Sequence, residues 1–163
     1  FGLTRSSELT RAEAEDFLEE YYQTFPGVKR YLDQVRVRAA EDGYVETLLG
    51  RRRYFPGLKT QQNQMLRNRE EREAINAPIQ GTAADIMKIA MLRVDAALQS
   101  AGCKGRMLLQ VHDELVLECP MEETEAMIQT VRQVMEQAYT LDAPLETEAR
   151  VGTNWGSLTP LEP

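Results

Sequence analysis

The chain is short of several things, and each shortage closes a door. It has 163 residues and no apolar run long enough to span a bilayer. It has two cysteines, Cys103 and Cys119, too few for a disulfide framework and without metal-ligand spacing. They read as free thiols of a reducing, cytoplasmic compartment. His112 is the single histidine, which excludes a multi-histidine zinc site. There is no initiator Met, and Phe1-Gly2-Leu3-Thr4-Arg5 does not read as a signal peptide, so a fragment or processed product is expected. Positive charge is scarce too: net charge is −7 at pH 7, unlike a simple nucleic-acid-binding module.

What is present is a core-forming composition, 42% hydrophobic and 28% charged, enough for one domain or one large piece of a bigger one. The charges are unevenly placed. Arg51, Arg52, Arg53, Lys59, Arg67 and Arg69 share a stretch without one acid, leaving 13 basic and 26 acidic residues elsewhere. Such separation can make a local anion site on an acidic protein, and the triple arginine can hold a phosphate backbone. From charge alone, a solvated basic loop is the plainer reading.

Thr10-Arg11-Ala12-Glu13 is a capping box and predicts a helix with Ala14, Phe17, Leu18 and Tyr21 on its apolar face. Pro26-Gly27 ends it. A second helix follows, with Val28, Leu32, Val35 and Ala39 inward and Gly43 as its stop. Residues 44–47 and 52–55 pair as short strands around a turn at 48–51, and residues 58–66 read as loop. A long helix is expected from about Arg67 to Ser100. Its stripe is Ile75, Ile79, Ala83, Ile86, Ala90, Val94 and Ala97, with a kink or restart at Pro78. Asp85 and Lys88 read as surface or capping charges. The strongest hairpin covers Arg106 to Glu118. A helix from Glu122 to Ala138 puts Met127, Val131, Val134, Met135 and Ala138 inward. Leu145, Thr147, Ala149 and Val151 alternate with charged residues, the pattern of a half-buried strand. The class is α+β, helices around a small antiparallel sheet.

The hairpin tip carries the chemistry. Tight hairpins favour glycine because positive φ is needed, yet this tip is His112-Asp113-Glu114. Two adjacent carboxylates repel unless a cation shares the site, and hard divalent cations take one or two such groups. A polar turn needing polar residues is the plainer alternative. On the long helix, Arg72, Asn76 and Gln80 fall at i, i+4 and i+8, a hydrogen-bonding strip suited to phosphate, sugar or base edges, or an ordinary solvated face.

Together these segments resemble the family A DNA polymerases, of the bacterial DNA polymerase I type. Residues 108–118, Leu-Leu-Gln-Val-His-Asp-Glu-Leu-Val-Leu-Glu, match that family's palm motif C. Residues 76–86, Asn-Ala-Pro-Ile-Gln-Gly-Thr-Ala-Ala-Asp-Ile, match the helix before it. Gly43-Tyr44-Val45-Glu46-Thr47 through Gly50-Arg51-Arg52-Arg53-Tyr54 is similar to the fingers hairpin, and Val151-Gly152 with Trp155 to the family's ending. The likeness covers nearly the whole chain, in order.

The resemblance implies a partial fingers subdomain over residues 1–66 and a partial palm over 67–163, the palm sheet combining the motif C hairpin with the C-terminal strand. It implies Asp113 as a metal-binding carboxylate and Glu114 as a supporting acid, with two Mg²⁺ ions partly held by residues outside this chain. His112 would approach the primer terminus, and Arg72, Asn76 and Gln80 would contact primer-template DNA. The fingers hairpin would lie away from the chemistry. Partners are then DNA, a dNTP and the rest of the polymerase chain, without a membrane. The reaction is nucleotidyl transfer to a primer 3′-hydroxyl, in replication or repair.

The family's second catalytic aspartate, in a motif like Asp-Tyr-Ser-Gln-Ile-Glu, does not occur here. Nor does the helix whose Lys and Arg bind the triphosphate; Phe1-Gly2 fits a later aromatic-Gly-Leu. The chain alone is therefore expected to be inactive. The alternatives are a non-catalytic DNA-binding or interaction module derived from a polymerase, and a metal-dependent phosphohydrolase, which would need more ligands than one hairpin supplies.

Overall fold

The computed structural model describes Ser7, residues 9–60 and residues 62–161. Phe1-Gly2 lies outside these. The chain divides into two compact units, residues 1–79 and 80–163.

The first unit opens with helix α1, Arg11–Thr24. The expected capping box is formed: Glu13 N–H donates to Thr10 Oγ1, and the Glu13 carboxylate accepts from Thr10 N–H at 2.8 Å. Of its apolar face only Ala14 is buried, while Phe17 is 50% exposed. The break is where proline requires it, with Pro26 at the first turn of helix α2, Pro26–Asp42. Gly43, at φ 79°, ends α2 by donating its N–H to Ala39 C=O.

Strands β1 (Tyr44–Glu46) and β2 (Arg52–Tyr54) pair antiparallel, Val45 opposite Arg53. Residues 58–66 are not all loop. Pro56–Lys59 forms a 3₁₀ turn that buries Leu58, and helix α3 begins at Gln64, earlier than Arg67. Asn63 explains the earlier start: its Oδ1 accepts from Met65 N–H at 2.9 Å, the role of an N-cap. The core of this unit is Val35, Ala39, Val45, Phe55, Leu58, Ala74 and Ala77. Burying Phe55 and Leu58 stabilises it by about 1.5–3 kcal/mol each.

Helix α3 runs from Gln64 to Ser100 as one element, so of the kink or restart expected at Pro78 the restart does not occur. Pro78 is itself buried, so packing offsets the hydrogen bond it removes. The expected stripe is half right. Ala90 and Val94 are buried, but Ile79 is 57% exposed and Ala83 is exposed, while Asp85, expected at the surface, is buried at 4%. Lys88 is exposed.

In the second unit, β3 (Arg106–Val111) and β4 (Glu114–Glu118) form the expected hairpin. After a 3₁₀ turn at Met121–Glu123 comes helix α4, Thr124–Glu136. Val94, Leu98, Met127 and Val131 make the core, with Leu115, Leu117, Val134 and Met135 packed on it. Residues 145–151 alternate in burial as expected, but only β5, Arg150–Val151, is a strand. Its partner is β6, Thr159–Pro160. Alternation reports one-sided burial, whereas a strand also needs a neighbour for its N–H and C=O groups. Thr147 takes a side chain instead, donating N–H and hydroxyl to Glu136 Oε1 at 3.2 and 2.8 Å. The α+β class holds. Among the described residues the strands form three separate two-stranded pairs, and the C-terminal strand does not join the β3–β4 hairpin.

Candidate functional site

The β3–β4 hairpin positions the acidic tip. Leu115 and Leu117 pack on the core cluster, and period-2 alternation turns Glu114, Val116 and Glu118 to the other face. The base is fixed by Arg106 Nε on Glu118 Oε1 at 2.6 Å. Gly105 seats there closely: a Cβ at that position would meet Met127 Sδ at 2.6 Å and Cys119 Cβ at 2.8 Å. A register shift between Met107 and Leu109 marks a bulge.

Val111 pairs with Glu114, so the loop is only His112-Asp113 and Glu114 begins β4. His112 supplies the positive φ, 54°, alone among described non-glycine residues. The Gln110 side-chain amide donates to His112 C=O and holds that bend. His112, Asp113 and Glu114 are all exposed, and neither carboxylate makes an ion pair among the described residues. Two adjacent anions thus stand uncompensated at a strained tip. Exposed carboxylate oxygens side by side suit a hard divalent cation. Among the described residues no group of three or more His, Cys, Asp or Glu surrounds a common point. Asp113 and Glu114 therefore fit the share of a magnesium site that a protein gives, one or two carboxylates, with the remaining ligands from elsewhere.

Arg72, Asn76 and Gln80 are exposed along α3, Arg72 and Asn76 in the first unit and Gln80 in the second. Arg72 has no ion-pair partner among the described residues, unlike the arginines around it. Arg67 lies on Glu71 at 3.2 Å, Arg69 on Glu73 at 3.0 Å, and Arg53 on Glu73 at 2.7 Å.

That pairing argues against an anion site at residues 51–69; all six bases are exposed, as the solvated reading expects, but Arg52, Arg53, Arg67 and Arg69 carry acidic partners. Arg52 sits on Glu46 at 2.6 Å and over the Tyr44 ring at 4.4 Å, and Arg53 stacks over Phe55. The acids are distant in sequence or on the next helical turn, so a one-dimensional charge count could not see them.

Two features escaped sequence reasoning. One is buried Asp85, which is engaged by neighbours, as a buried carboxylate must be. The other is a clasp behind the hairpin. Cys103 Sγ donates to Glu123 Oε2 at 3.1 Å, and Lys104 N–H donates to the same oxygen at 2.9 Å. The bond to Glu123 raises the Cys103 thiol above its ordinary range, against a smaller opposing pull from Gly105 N–H. Glu123 is lowered in turn, by Cys103 first and Lys104 next. A thiol so held is protonated and a poor nucleophile.

Comparison with known proteins agrees with the motifs. The sequence model of "DNA polymerase family A" matches residues 1–157. DNA polymerase I of Bacillus caldotenax is 48% identical over 155 residues, 95% of this chain and 18% of that protein. DNA polymerase I of Pseudomonas aeruginosa is 49% identical, over 95% and 17%. The solved POL domain of Pol1 from M. smegmatis, in complex with DNA primer-template and dNTP, superposes with a TM-score of 0.81 at 48% identity. It covers 90% of this chain and 26% of that one. The chain thus spans less than a fifth of the curated relatives named here.

Proposed function

This chain belongs to DNA polymerase family A, and from that premise we propose that it supplies part of a DNA-directed DNA polymerase. Residues 1–66 belong to its fingers and 67–163 to its palm. The reaction is template-directed transfer of a nucleotide from a dNTP to a primer 3′-hydroxyl. The observation that carries the reading is the tip: two exposed, unpaired carboxylates at a hairpin turn made without glycine.

Asp113 and Glu114 would hold magnesium, which when bound stabilises the attacking and leaving oxygens of phosphoryl transfer. Asp113, in the loop itself, is the principal ligand, and Glu114 supports the same charge. His112 donates a hydrogen bond toward the primer end, its backbone bent to present the ring. Arg72 neutralises a phosphate, and Asn76 and Gln80 offer amides to sugar or base edges. Sequence choice comes from base pairing with the template, so backbone and shape contacts are what the protein must provide.

Two exposed carboxylates do not make a complete metal site, so the 163-residue chain alone is inactive in this reading. Primer extension tests both points. The isolated chain should not extend a primer. In the complete polymerase, Asp113→Asn should lower turnover by roughly three orders of magnitude, about 4 kcal/mol of barrier, with DNA affinity nearly unchanged. Extension at the normal rate would remove Asp113 from the metal site. Salt-sensitive DNA binding without any metal dependence would favour the non-catalytic DNA-binding module instead.

A further inference from the structure

Two thiols stand at the base of the β3–β4 hairpin, at the end away from the acidic tip. Cys103 lies just before β3 and Cys119 just after β4, both half-buried and both free. Each packs on the core cluster of Val94, Leu98, Met127 and Val131. Arg106 faces Glu118 in the register, so Gly105 falls opposite Cys119 and Cys103 is diagonal to it. Diagonal partners across an antiparallel pair have Cα atoms about 7–8 Å apart, and a disulfide needs about 4.4–6.8 Å. The difference is small, and the segment that must close it is a bend at Lys104, not a strand.

Gly105 touches both side chains. Its N–H donates to Cys103 Sγ at 3.3 Å, and a Cβ on it would lie 2.8 Å from Cys119 Cβ. Being glycine, it puts no side chain of its own between them. The sulfurs also meet consecutive residues at the start of α4. Cys103 Sγ donates to Glu123 Oε2 at 3.1 Å, and Cys119 Sγ lies 3.6 Å from Thr124 Oγ1. Packing alone does not account for this, because a cysteine kept only as a small hydrophobe has no use for a carboxylate. Glu123 stands at the N-cap of α4 yet gives that helix no side-chain cap. Its carboxylate serves Cys103 and Lys104 instead.

We propose that Cys103 and Cys119 form a redox modification site, a reversible intrachain disulfide that fastens the base of the hairpin under oxidation by a small-molecule disulfide. Cys119, whose sulfur has no carboxylate partner among the described residues, attacks first as its thiolate. It bonds to one half of the small disulfide as the other half leaves and takes up a proton. Cys103, held as a thiol by Glu123, follows. Its sulfur attacks the Cys119 sulfur, its proton passes to Glu123 Oε2, and the second half leaves and takes up a proton in turn. Two cysteine thiols are thus oxidised by two electrons, and one small disulfide is reduced to two thiols. In a reducing compartment the bond reverses, and while it lasts it shields both sulfurs from irreversible oxidation. The site uses none of the tip residues, so the inference stands apart from the polymerase reading.

The test treats the complete polymerase with oxidised glutathione, alkylates the remaining free thiols and maps peptides by mass. The native enzyme should yield a linked peptide joining Cys103 to Cys119, released by dithiothreitol. Cys103→Ala should stop at glutathione on Cys119, and Cys119→Ala should leave Cys103 unmodified. Glu123→Gln should slow the closing step at least about tenfold, with the mixed disulfide accumulating. Hydrogen exchange of the β3 and β4 amides should slow at least about tenfold in the oxidised native enzyme and in neither alanine variant. Two free thiols after oxidation, glutathione on each cysteine without a link, or a link to any other cysteine overturns the proposal. So does a Cys103–Cys119 link that leaves exchange in β3 and β4 unchanged, because it then fastens nothing. Closure at the native rate in Glu123→Gln refutes the part given to Glu123. Peptide mapping needs no catalysis, so an enzyme unaffected by Asp113→Asn would refute the polymerase site and leave this result standing.

Discussion

Replacing His112 with glycine should make the hairpin more stable and the enzyme slower. At φ 54° the histidine backbone is in the left-handed region, which costs an L-residue about 1–2 kcal/mol. Glycine removes that cost but adds about 0.5–1 kcal/mol of freedom to the unfolded chain. The difference is a net gain of about 0.5–1 kcal/mol. The bend is otherwise undisturbed, because the Gln110 amide donates to the backbone C=O of residue 112 and not to the imidazole. A complete polymerase has several domains, so one melting temperature would not isolate the tip. Hydrogen exchange of the Val111 and Glu114 amides does, and the gain corresponds to about two- to fivefold more protection. Primer extension should meanwhile slow about tenfold, the loss of a hydrogen bond worth ~1.4 kcal/mol. His112→Asn is the control: asparagine tolerates the left-handed region, so it should slow extension without the gain in protection. If the glycine variant is less protected, the tip is not strained at a cost. If it extends at the native rate, the imidazole is there for the turn and not for the primer.

Other outcomes follow from the same geometry. Arg72→Ala should weaken duplex binding about equally for every sequence and reduce the salt slope by about 1, read by titration at several salt concentrations. A similar change on Arg69→Ala would show that pairing with Glu73 does not matter. Gly105→Ala drives a methyl against Met127 Sδ and Cys119 Cβ and should cost about 1–3 kcal/mol, seen as lost hydrogen-exchange protection across β3 and β4. The Cys103–Glu123 clasp has a pH signature. Cys103 is raised on folding, so its contribution is present below the ordinary thiol range and lost as pH climbs through the raised value. Glu123 is lowered, so its contribution is present above the ordinary carboxylate range and lost as pH falls through the lowered value. Local protection of Lys104 N–H, which donates to Glu123, should therefore hold between those limits and fall on both sides. Cys103→Ala should flatten the alkaline side.

Local chemistry was the legible part of the fold. Thr10 and Glu13, Pro26, Gly43 and the two hairpins act within a few residues, so their elements could be read from neighbours alone. What failed needed the third dimension. Asp85 looks like a surface charge on a helix, and only packing shows it buried. The segment 145–151 has a strand's alternation, but no local rule says whether a partner strand stands beside it. Phe17, Leu18 and Tyr21 share the spacing of an apolar face, yet all three are exposed and only Ala14 is buried. At the candidate site, the residue types and their glycine-free turn were legible. The positive φ of His112 and the lack of any counter-charge were not.

Charge shows most clearly how sequence and structure differ as evidence for function. A net charge of −7 argues against nucleic-acid binding, and six clustered bases argue for it. Neither count survives the structure. The clustered arginines 52, 53, 67 and 69 are spent on Glu46, Glu71 and Glu73, and must give up those acids before they can neutralise a phosphate. Such exposed pairs are worth little, about 0–1 kcal/mol each, but they cancel the field an approaching anion would feel. Among the described residues the cations without an acidic partner include Arg72 on α3 and Lys29, Arg30 and Arg38 on α2, and also Lys59, Lys88, Arg93 and Lys104. On the acidic side Asp113 and Glu114 are among the unpaired acids, and they stand at the one turn among the described residues that takes a positive φ without glycine. On the proposed reading an acidic protein holds DNA and a metal together, because the unpaired charges of each sign, and not their sum, decide what is attracted and where.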